Sequence, residues 1–157
     1  QIEYRKVHMP VFGKLFKIIY TARFARTLSS LYSSGMPIAT ALGIAGNTIG
    51  NSYVEGQFEQ VVALVRSGIP MSQALREVDG LQKKLASTIL VGEESGRLDV
   101  MLDSIALSLE ADAEEATKRM VTLMEPLLIM MMAVIVGFIM IAVMLPIYES
   151  YSAIENS

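Results

Sequence analysis

The chain has 157 residues, of which 52% are hydrophobic and 18% are charged, and its formal net charge is −3. The sequence has no cysteine and a single histidine, His8, which excludes a disulfide framework, a cysteine-based zinc site and a multi-histidine centre built from these residues. The acidic balance and the lack of a basic–aromatic platform argue against nucleic acid as a partner.

The first 20 residues are predicted to form a linker, because Pro10 and Gly13 interrupt them early. The sequence starts with Gln1 instead of methionine, which indicates a fragment of a longer product. This end is basic, since Glu3 is its one acidic residue. Such a cluster favours contact with an anionic membrane leaflet, and a solvated charged face is the equal alternative. The cations are Arg5, Lys6, Lys14, Lys17, Arg23 and Arg26.

Residues 21–122 show helical periodicity, and no stretch has the sustained alternation of a half-buried strand. Apolar residues recur three, four and seven positions apart, as expected of helices that bury one face. Six such stripes predict an all-α domain, a six-helix bundle made of three helical hairpins. The stripes are Phe24, Leu28, Leu31 and Tyr32; Ile38, Ala41, Leu42 and Ala45; Val54, Phe58, Val61, Val62 and Val65; Met71, Ala74, Leu75 and Val78; Leu81, Leu85 and Ile89; and Leu98, Met101, Leu102, Ile105 and Leu109.

Two corners of the predicted bundle share the pattern Ser-Gly-x-Pro and lie 33 positions apart. Glycine just past a helix end can adopt left-handed backbone angles, and proline near the next helix start presets φ. Each pattern is therefore predicted to turn the chain sharply into a new helix. The interval also suggests a solenoid of the tetratricopeptide kind, but the two copies agree only at the corner. The corner residues are Gly35, Pro37, Gly68, Pro70 and, without a proline, Gly96.

Carboxylates are concentrated just before Lys118, and this acidic stretch is predicted to be a docking surface, with a solvated helix face as the alternative. Glu110 and Glu114 are one helical turn apart, a spacing that would also allow loose binding of a divalent cation. The sequence has no phosphate-binding loop, dinucleotide fingerprint or nucleophile elbow. Neither a catalytic residue nor a cofactor is therefore predicted. The candidate docking residues are Asp99, Asp103, Glu110 and Glu114.

The run from Leu127 to Tyr148 contains no charged residue. As a helix of 22 residues it would be roughly 33 Å long, enough to cross a hydrocarbon core of about 30 Å. A buried core helix is the alternative, but such helices rarely stay apolar on all sides for this length. The last helix of the bundle is therefore predicted to continue into a transmembrane helix over residues 123–148, followed by a short tail over residues 149–157.

The charges that flank this stretch predict its orientation. Lys118 and Arg119 precede it, whereas the tail carries Glu149 and Glu155 and no cation. The positive-inside rule then places residues 1–122 in the cytoplasm and the C-terminus on the other side of the membrane.

Several segments, taken in order, carry a resemblance to a known family. They are MPVFGKL at Met9–Leu15, the first corner segment at Thr21–Leu42, the second at Gly50–Leu75, VGEESGRLDVML at Val91–Leu102, and the final segment from MEPLL to PIYES at Met124–Ser150. Together they resemble the second F-domain and last transmembrane helix of the inner-membrane platform proteins of type II secretion systems and type IV pili.

This resemblance implies the C-terminal part of a longer bacterial inner-membrane protein with two six-helix domains and three membrane helices. Such a protein has no enzymatic activity of its own and couples a hexameric cytoplasmic assembly ATPase to pilin or pseudopilin subunits. The implied partners also include other inner-membrane assembly proteins, membrane lipid and further copies of the chain, as a homo-oligomer. The positions implied to be structural corners are Gly35, Pro37, Gly68, Gly92, Glu93, Gly96 and Leu98.

Three residues are candidates for more specific roles. Glu93 is expected to cap a corner or a helix terminus, or else to be solvated. Glu125 lies at the membrane boundary, where it is expected to face a basic group on protein or to extend to the interface. Pro126 removes one helix hydrogen bond and is expected to bend the helix at its entry into the bilayer.

Two other functions remain open on the sequence. A tail-anchored helical adaptor that recruits a soluble partner to the membrane would fit the single span equally well, though not the ordered family segments. A membrane enzyme whose catalytic residues lie outside these 157 residues is the third possibility.

Overall fold

The computed structural model describes residues 2–8, 10 and 12–157, without the side chains of Glu3 and Lys6. Gln1, Met9 and Val11 lie outside the described residues, so part of the predicted linker and of its resemblance segment lies there too. The described residues are all-α and contain no strand. The helices are α1 (Ile2–His8), α2 (Gly13–Ser33), α3 (Ile38–Gly46), α4 (Ser52–Glu55), α5 (Phe58–Arg66), α6 (Met71–Arg76), α7 (Lys83–Ser95) and α8 (Leu98–Glu155).

The first compact unit of the chain, residues 1–116, holds the helical bundle. Helices α2 and α3 pack against each other, as do α3 and α5, α5 and α6, and α6 and α7. The first turns of α8 bury Leu102, Ile105, Ala106 and Leu109 in the same core. Helices α2, α3, α5, α6, α7 and the start of α8 are thus the predicted six-helix bundle, to which the short helices α1 and α4 are added.

The core of the bundle consists of the apolar stripes seen in the sequence. Phe24 of α2 lies against Phe58 of α5, with ring centroids 4.9 Å apart, and both side chains are buried. The remaining stripe positions except the half-buried Met101 are buried or are packed at the edge of this core, as Leu31 and Val65 are. The helical periodicity therefore predicted the core correctly, because burial of one face is what produces that periodicity.

The predicted linker over residues 1–20 is wrong for the part of it that the structure describes. Helix α1 occupies residues 2–8, and α2 already begins at Gly13. Val7 is only 2% exposed, which shows that α1 is packed against the bundle. Gly13 permits this packing, because a Cβ there would lie 2.5 Å from the carbonyl oxygen of Val7. Gly13, which was predicted to interrupt a linker, is instead the point at which α1 and α2 approach each other closely.

The second compact unit, residues 117–157, consists of the later part of α8 and its end. The apolar side chains from Leu127 onward are exposed, as Phe138 is at 74%. Within the described residues, one helix is long and apolar enough to cross a membrane, judged by length and composition. The helix includes Pro126 and Pro146 and continues to Glu155, so most of the predicted tail is helical.

Candidate functional site

The two Ser-Gly-x-Pro corners have the same geometry. Gly35 ends α2 with φ of +89°, and Gly68 ends α5 with φ of +100°. In each corner the preceding serine Oγ donates a hydrogen bond of 2.7 Å to a carbonyl oxygen in the last helical turn. Pro37 and Pro70 then precede α3 and α6 with φ of −55° and −56°. Glycine is strongly favoured at both turns, since other residues rarely adopt these backbone angles.

The third corner joins α7 to α8 through Gly96, whose φ is +69°. The N–H of Arg97 donates to the carbonyl oxygen of Gly92 at 3.1 Å, which closes the last turn of α7. A Cβ on Gly92 would lie 3.0 Å from the Cβ of Met101 and 3.1 Å from the Cα of Leu98. Gly92 therefore lets the start of α8 approach α7 closely.

Glu93 binds the start of α6. Its Oε1 accepts a hydrogen bond of 3.0 Å from the backbone N–H of Ser72, and its Oε2 accepts one of 2.6 Å from the Ser72 hydroxyl. Pro70, which precedes α6, provides no side-chain cap for this helix. Ser72 is only 2% exposed, so the Glu93 carboxylate provides the acceptor that this buried helix terminus would otherwise lack. Glu93 is therefore not simply solvated, since it contacts a helix terminus.

Glu110 joins α8 to α2 through Arg26. The Arg26 Nε donates to Oε1 at 2.6 Å and Nη2 donates to Oε2 at 2.5 Å, a bidentate pair. The hydrogen bonds from Arg26 lower the pKa of the Glu110 carboxyl, against a smaller opposing effect of burial. The same bonds raise the pKa of Arg26. Glu110 is thus used within the bundle, although it was a candidate docking residue.

The rest of the acidic stretch divides into two groups. Asp112 accepts a hydrogen bond of 3.2 Å from Lys84 Nζ, which also donates to Ser108 on α8. Asp99 and Asp103 are exposed on the first turns of α8, and Glu114 is exposed farther along it. Acidic residues seen as one stretch in the sequence therefore face two directions on the helix.

An exposed strip of α8 combines acidic and apolar side chains. Val100 and Leu107 are each 54% exposed and lie seven positions apart, on the same side of the helix. Asp103 lies between them, and Asp99 is adjacent. We call these four residues the α8 outer face.

Glu125 and Pro126 belong to the second unit. Glu125 is exposed and is the last ionisable residue before the apolar run, and Pro126 lies within the helix.

One side-chain cluster was missed by the sequence analysis, which placed His8 in a linker. The His8 Nε2 lies 3.1 Å from Oδ2 of Asp79, and the Tyr53 hydroxyl donates to the same oxygen at 2.9 Å. The ring of Tyr4 stacks on His8, with centroids 4.2 Å apart. The hydrogen bond to Asp79 raises the pKa of Tyr53, with burial and the negative charge adding to it. No sequence motif predicts this cluster, because its residues come from three segments that are far apart in the chain.

Gln57 supports the same cluster from α4–α5. Its side-chain amide donates to the carbonyl oxygen of Asp79 and accepts from the Asp79 N–H, both at 2.8 Å. The loop that carries Asp79 is thereby held at the backbone as well as at the carboxylate. Among the described residues, no group of three or more acidic or histidine side chains is arranged to hold a metal ion.

The sequence is similar to proteins of two bacterial machines. Residues 24–146 match the family described as type II secretion system (T2SS), protein F. The chain is 37% identical over 149 residues to the type IV pilus assembly protein PilC of Thermus thermophilus, covering 94% of this chain and 37% of that protein. It is 34% identical over 143 residues to the type II secretion system protein F of Aeromonas hydrophila, covering 91% of this chain and 37% of that protein.

A third relative, the type II secretion system protein F of Vibrio cholerae, is 34% identical over 145 residues, which are 92% of this chain and 36% of that protein. The chain thus spans little more than a third of the length of the curated relatives it matches. The family match covers the bundle from α2 onward and the apolar part of α8. The chain therefore belongs to the type II secretion system protein F family.

Proposed function

We propose that this chain is the C-terminal part of an inner-membrane platform protein that assembles a type IV pilus or a type II secretion pseudopilus. The observation that carries the proposal is the family match over residues 24–146, which extends from the bundle into the exposed apolar helix. The names of the relatives, in pilus assembly and in secretion, agree with it. Its role is structural, and it needs no catalytic centre or cofactor.

The topology proposed for the chain follows from its charges. Residues 1–122 lie in the cytoplasm and the C-terminus on the opposite side, since Lys118 and Arg119 precede the apolar run. Exposed apolar side chains from Leu127 to Tyr148 support insertion of this stretch into the bilayer. Residues 123–148 are the proposed membrane span. In this arrangement the bundle is available to partners in the cytoplasm and the span to partners in the membrane.

The proposed cytoplasmic partner is a hexameric assembly ATPase, and the α8 outer face is its proposed docking surface. Val100 and Leu107 offer apolar area, while Asp99 and Asp103 add negative charge beside it. Exposed apolar residues with charged neighbours are the composition expected of a protein-binding surface. Glu110 and Asp112 are excluded from this surface, because each is engaged by a cation of the bundle.

Pilin or pseudopilin subunits are the proposed partners in the membrane, together with other inner-membrane assembly proteins and further copies of this chain. Glu125, at the start of the span, is proposed to pair with a basic group on one of these proteins, since a carboxylate turned toward lipid is costly. Pro126 interrupts helix hydrogen bonding beside it and is proposed to shape this contact.

Charge reversal on the α8 outer face tests the proposed function. The variant Asp99→Lys/Asp103→Lys is introduced into the full-length protein, and its co-purification with the assembly ATPase and its support of pilus or pseudopilus assembly are measured. Both the co-purification and the assembly are expected to be lost. The introduced lysines would replace an attractive contact with the ATPase by repulsion between like charges and by unfavourable desolvation. The matched control Glu59→Lys/Glu77→Lys reverses two other exposed carboxylates of the bundle. Normal assembly by the outer-face variant, or equal loss in the control, would overturn the proposed docking surface.

A further inference from the structure

The start of the bundle carries an exposed surface that is both basic and apolar. Val7 is buried against the bundle, so the opposite side of α1 faces outward. Ile2 is 76% exposed there, and Phe12, just before α2, is 38% exposed. We call this the α1–α2 basic surface, and its described side chains are Ile2, Arg5, Phe12 and Lys14, which are exposed, and Lys17, which is half-buried.

Lys14 and Lys17 of this surface line a cavity of about 330 Å³ between the end of α1 and the start of α2. Among the residues that the structure describes, its lining consists of Val7, His8, Gly13, Lys14 and Lys17, without a carboxylate. Asp79, the acidic residue that meets His8, is already bonded by Tyr53. No described residue of the lining therefore compensates the positive charge of the two lysines.

Helix stability does not account for these lysines. They occupy the first and second turns of α2, where the helix dipole disfavours positive charge, and the first turn has no acidic residue. They also lie three positions apart, where like charges repel each other. A negatively charged partner outside the chain would remove both penalties.

The exposed apolar side chains indicate which partner this is. Free inorganic phosphate would use the cations and leave Ile2 and Phe12 in water, whereas a lipid leaflet offers phosphates above an apolar layer. Cations combined with exposed aliphatic and aromatic side chains are the composition of protein elements that lie in a membrane interface. Anionic lipids strengthen such contacts through each nearby lysine or arginine.

We propose that the α1–α2 basic surface binds the anionic phospholipid leaflet, with Lys14, Lys17 and Arg5 at the phosphates and Ile2 and Phe12 at the boundary of the acyl chains. This inference rests on the proposed function, because it requires a chain anchored in a membrane. It adds a second, peripheral contact with lipid to the transmembrane helix. Such a contact would restrain the bundle against the leaflet independently of its protein partners.

Tryptophan quenching tests the inference, since the chain contains no tryptophan of its own. Phe12→Trp reports on the α1–α2 basic surface, and Val91→Trp, an exposed site on α7, is the control on the bundle. Phe138→Trp reports on the proposed span. Each variant of the full chain is placed in nanodiscs of phosphatidylcholine with brominated tails, with and without phosphatidylglycerol.

Phe12→Trp is expected to be quenched when phosphatidylglycerol is present and to lose this quenching at high salt, while Val91→Trp stays unquenched. Adding Lys14→Gln/Lys17→Gln is expected to lower the ratio of docked to undocked surface by about twenty-five-fold, since each cation contributes about fivefold. Lys83→Gln/Arg97→Gln, which removes two exposed cations elsewhere on the bundle, should leave it unchanged.

The span reporter separates the two hypotheses. Quenching of Phe138→Trp without quenching of Phe12→Trp overturns the lipid contact and leaves the membrane role intact. Absence of quenching at Phe138→Trp overturns both. Equal quenching at Phe12→Trp and Val91→Trp, or quenching that ignores phosphatidylglycerol, also overturns the inference, because the contact would then not be specific to this basic surface.

Discussion

Arg26 and Glu110 join α2 to α8 by two parallel hydrogen bonds of 2.6 and 2.5 Å, although 84 positions separate them along the chain. Both side chains are a little over 40% exposed, so the pair closes the rim of the bundle and does not lie in its core. It ties the first long helix to the helix that continues into the apolar stretch.

Acid should weaken this pair. The pKa of Glu110 is lowered from its ordinary value of 4.5 by the hydrogen bonds from Arg26. A lowered carboxyl pKa contributes stability that is present above pH 4.5 and is lost as pH falls through the folded value. Thermal unfolding followed between about pH 6 and pH 3 should show a smaller fall in midpoint for Glu110→Gln than for the wild type. Solvent exposure keeps the difference small. An identical pH profile in Glu110→Gln and the wild type would refute the predicted weakening of the pair by acid. Glu59→Gln, which changes another exposed carboxylate, is the control.

Removing Glu93 should destabilise the bundle through the start of α6. We expect Glu93→Ala to lower the free energy of unfolding by about 1–2 kcal/mol, since it leaves the buried Ser72 N–H and hydroxyl without their acceptor. Ser72→Ala and the double variant complete a cycle measured by denaturant unfolding. Because both residues share one interaction, their effects should not add. Ser72→Ala keeps the backbone N–H, so additive losses would show that the hydrogen bond from the Ser72 hydroxyl contributes nothing.

Replacing a corner glycine by alanine should lower the free energy of unfolding for conformational reasons alone. A Cβ on Gly35 or Gly68 meets nothing within 4 Å, so the positive φ is the source of the penalty. We expect each alanine variant to lose about 1 kcal/mol of unfolding free energy. The control is Gly43→Ala inside α3, where the nearest atom is 3.7 Å from the new Cβ. This change should be neutral or stabilising. A neutral Gly35→Ala would contradict the assigned corner geometry.

Tyr53 should ionise later than a free tyrosine. Its hydroxyl donates to Asp79, which raises its pKa above the ordinary 10.0 and makes the bond a source of stability below that pH. This contribution is lost as pH rises through the higher folded value. A spectroscopic titration of the chain's six tyrosines should therefore contain a late component that Tyr53→Phe removes. If both proteins titrate alike, the hydrogen bond to Asp79 is absent in solution.

Reversing the charge of Glu125 should impair pilus or pseudopilus assembly without unfolding the bundle. In Glu125→Lys a cation faces the basic group that we propose as its partner, so the contact becomes repulsive. Assembly in cells and far-ultraviolet circular dichroism of the purified protein are measured together. Glu77→Lys, an exposed reversal on the bundle, is the control. Normal assembly with Glu125→Lys would exclude a functional Glu125.

The sequence alone determined the helical class, the core stripes and the corner positions. These features are local: apolar spacing follows the helical period, and a glycine such as Gly35 fits the left-handed turn whatever packs around it. The length and composition of the run from Leu127 to Tyr148 likewise identified the candidate transmembrane helix without any partner.

Only the tertiary structure decided which polar residues meet. Glu110 and Asp99 look equivalent in the sequence, yet one is bonded to Arg26 and the other lies exposed on the α8 outer face. His8 reaches Asp79 because α1 packs on the bundle through Val7. The physical reason is the same in each case: helical periodicity reports only whether a position faces inward, whereas ion pairs depend on how distant helices are aligned against each other.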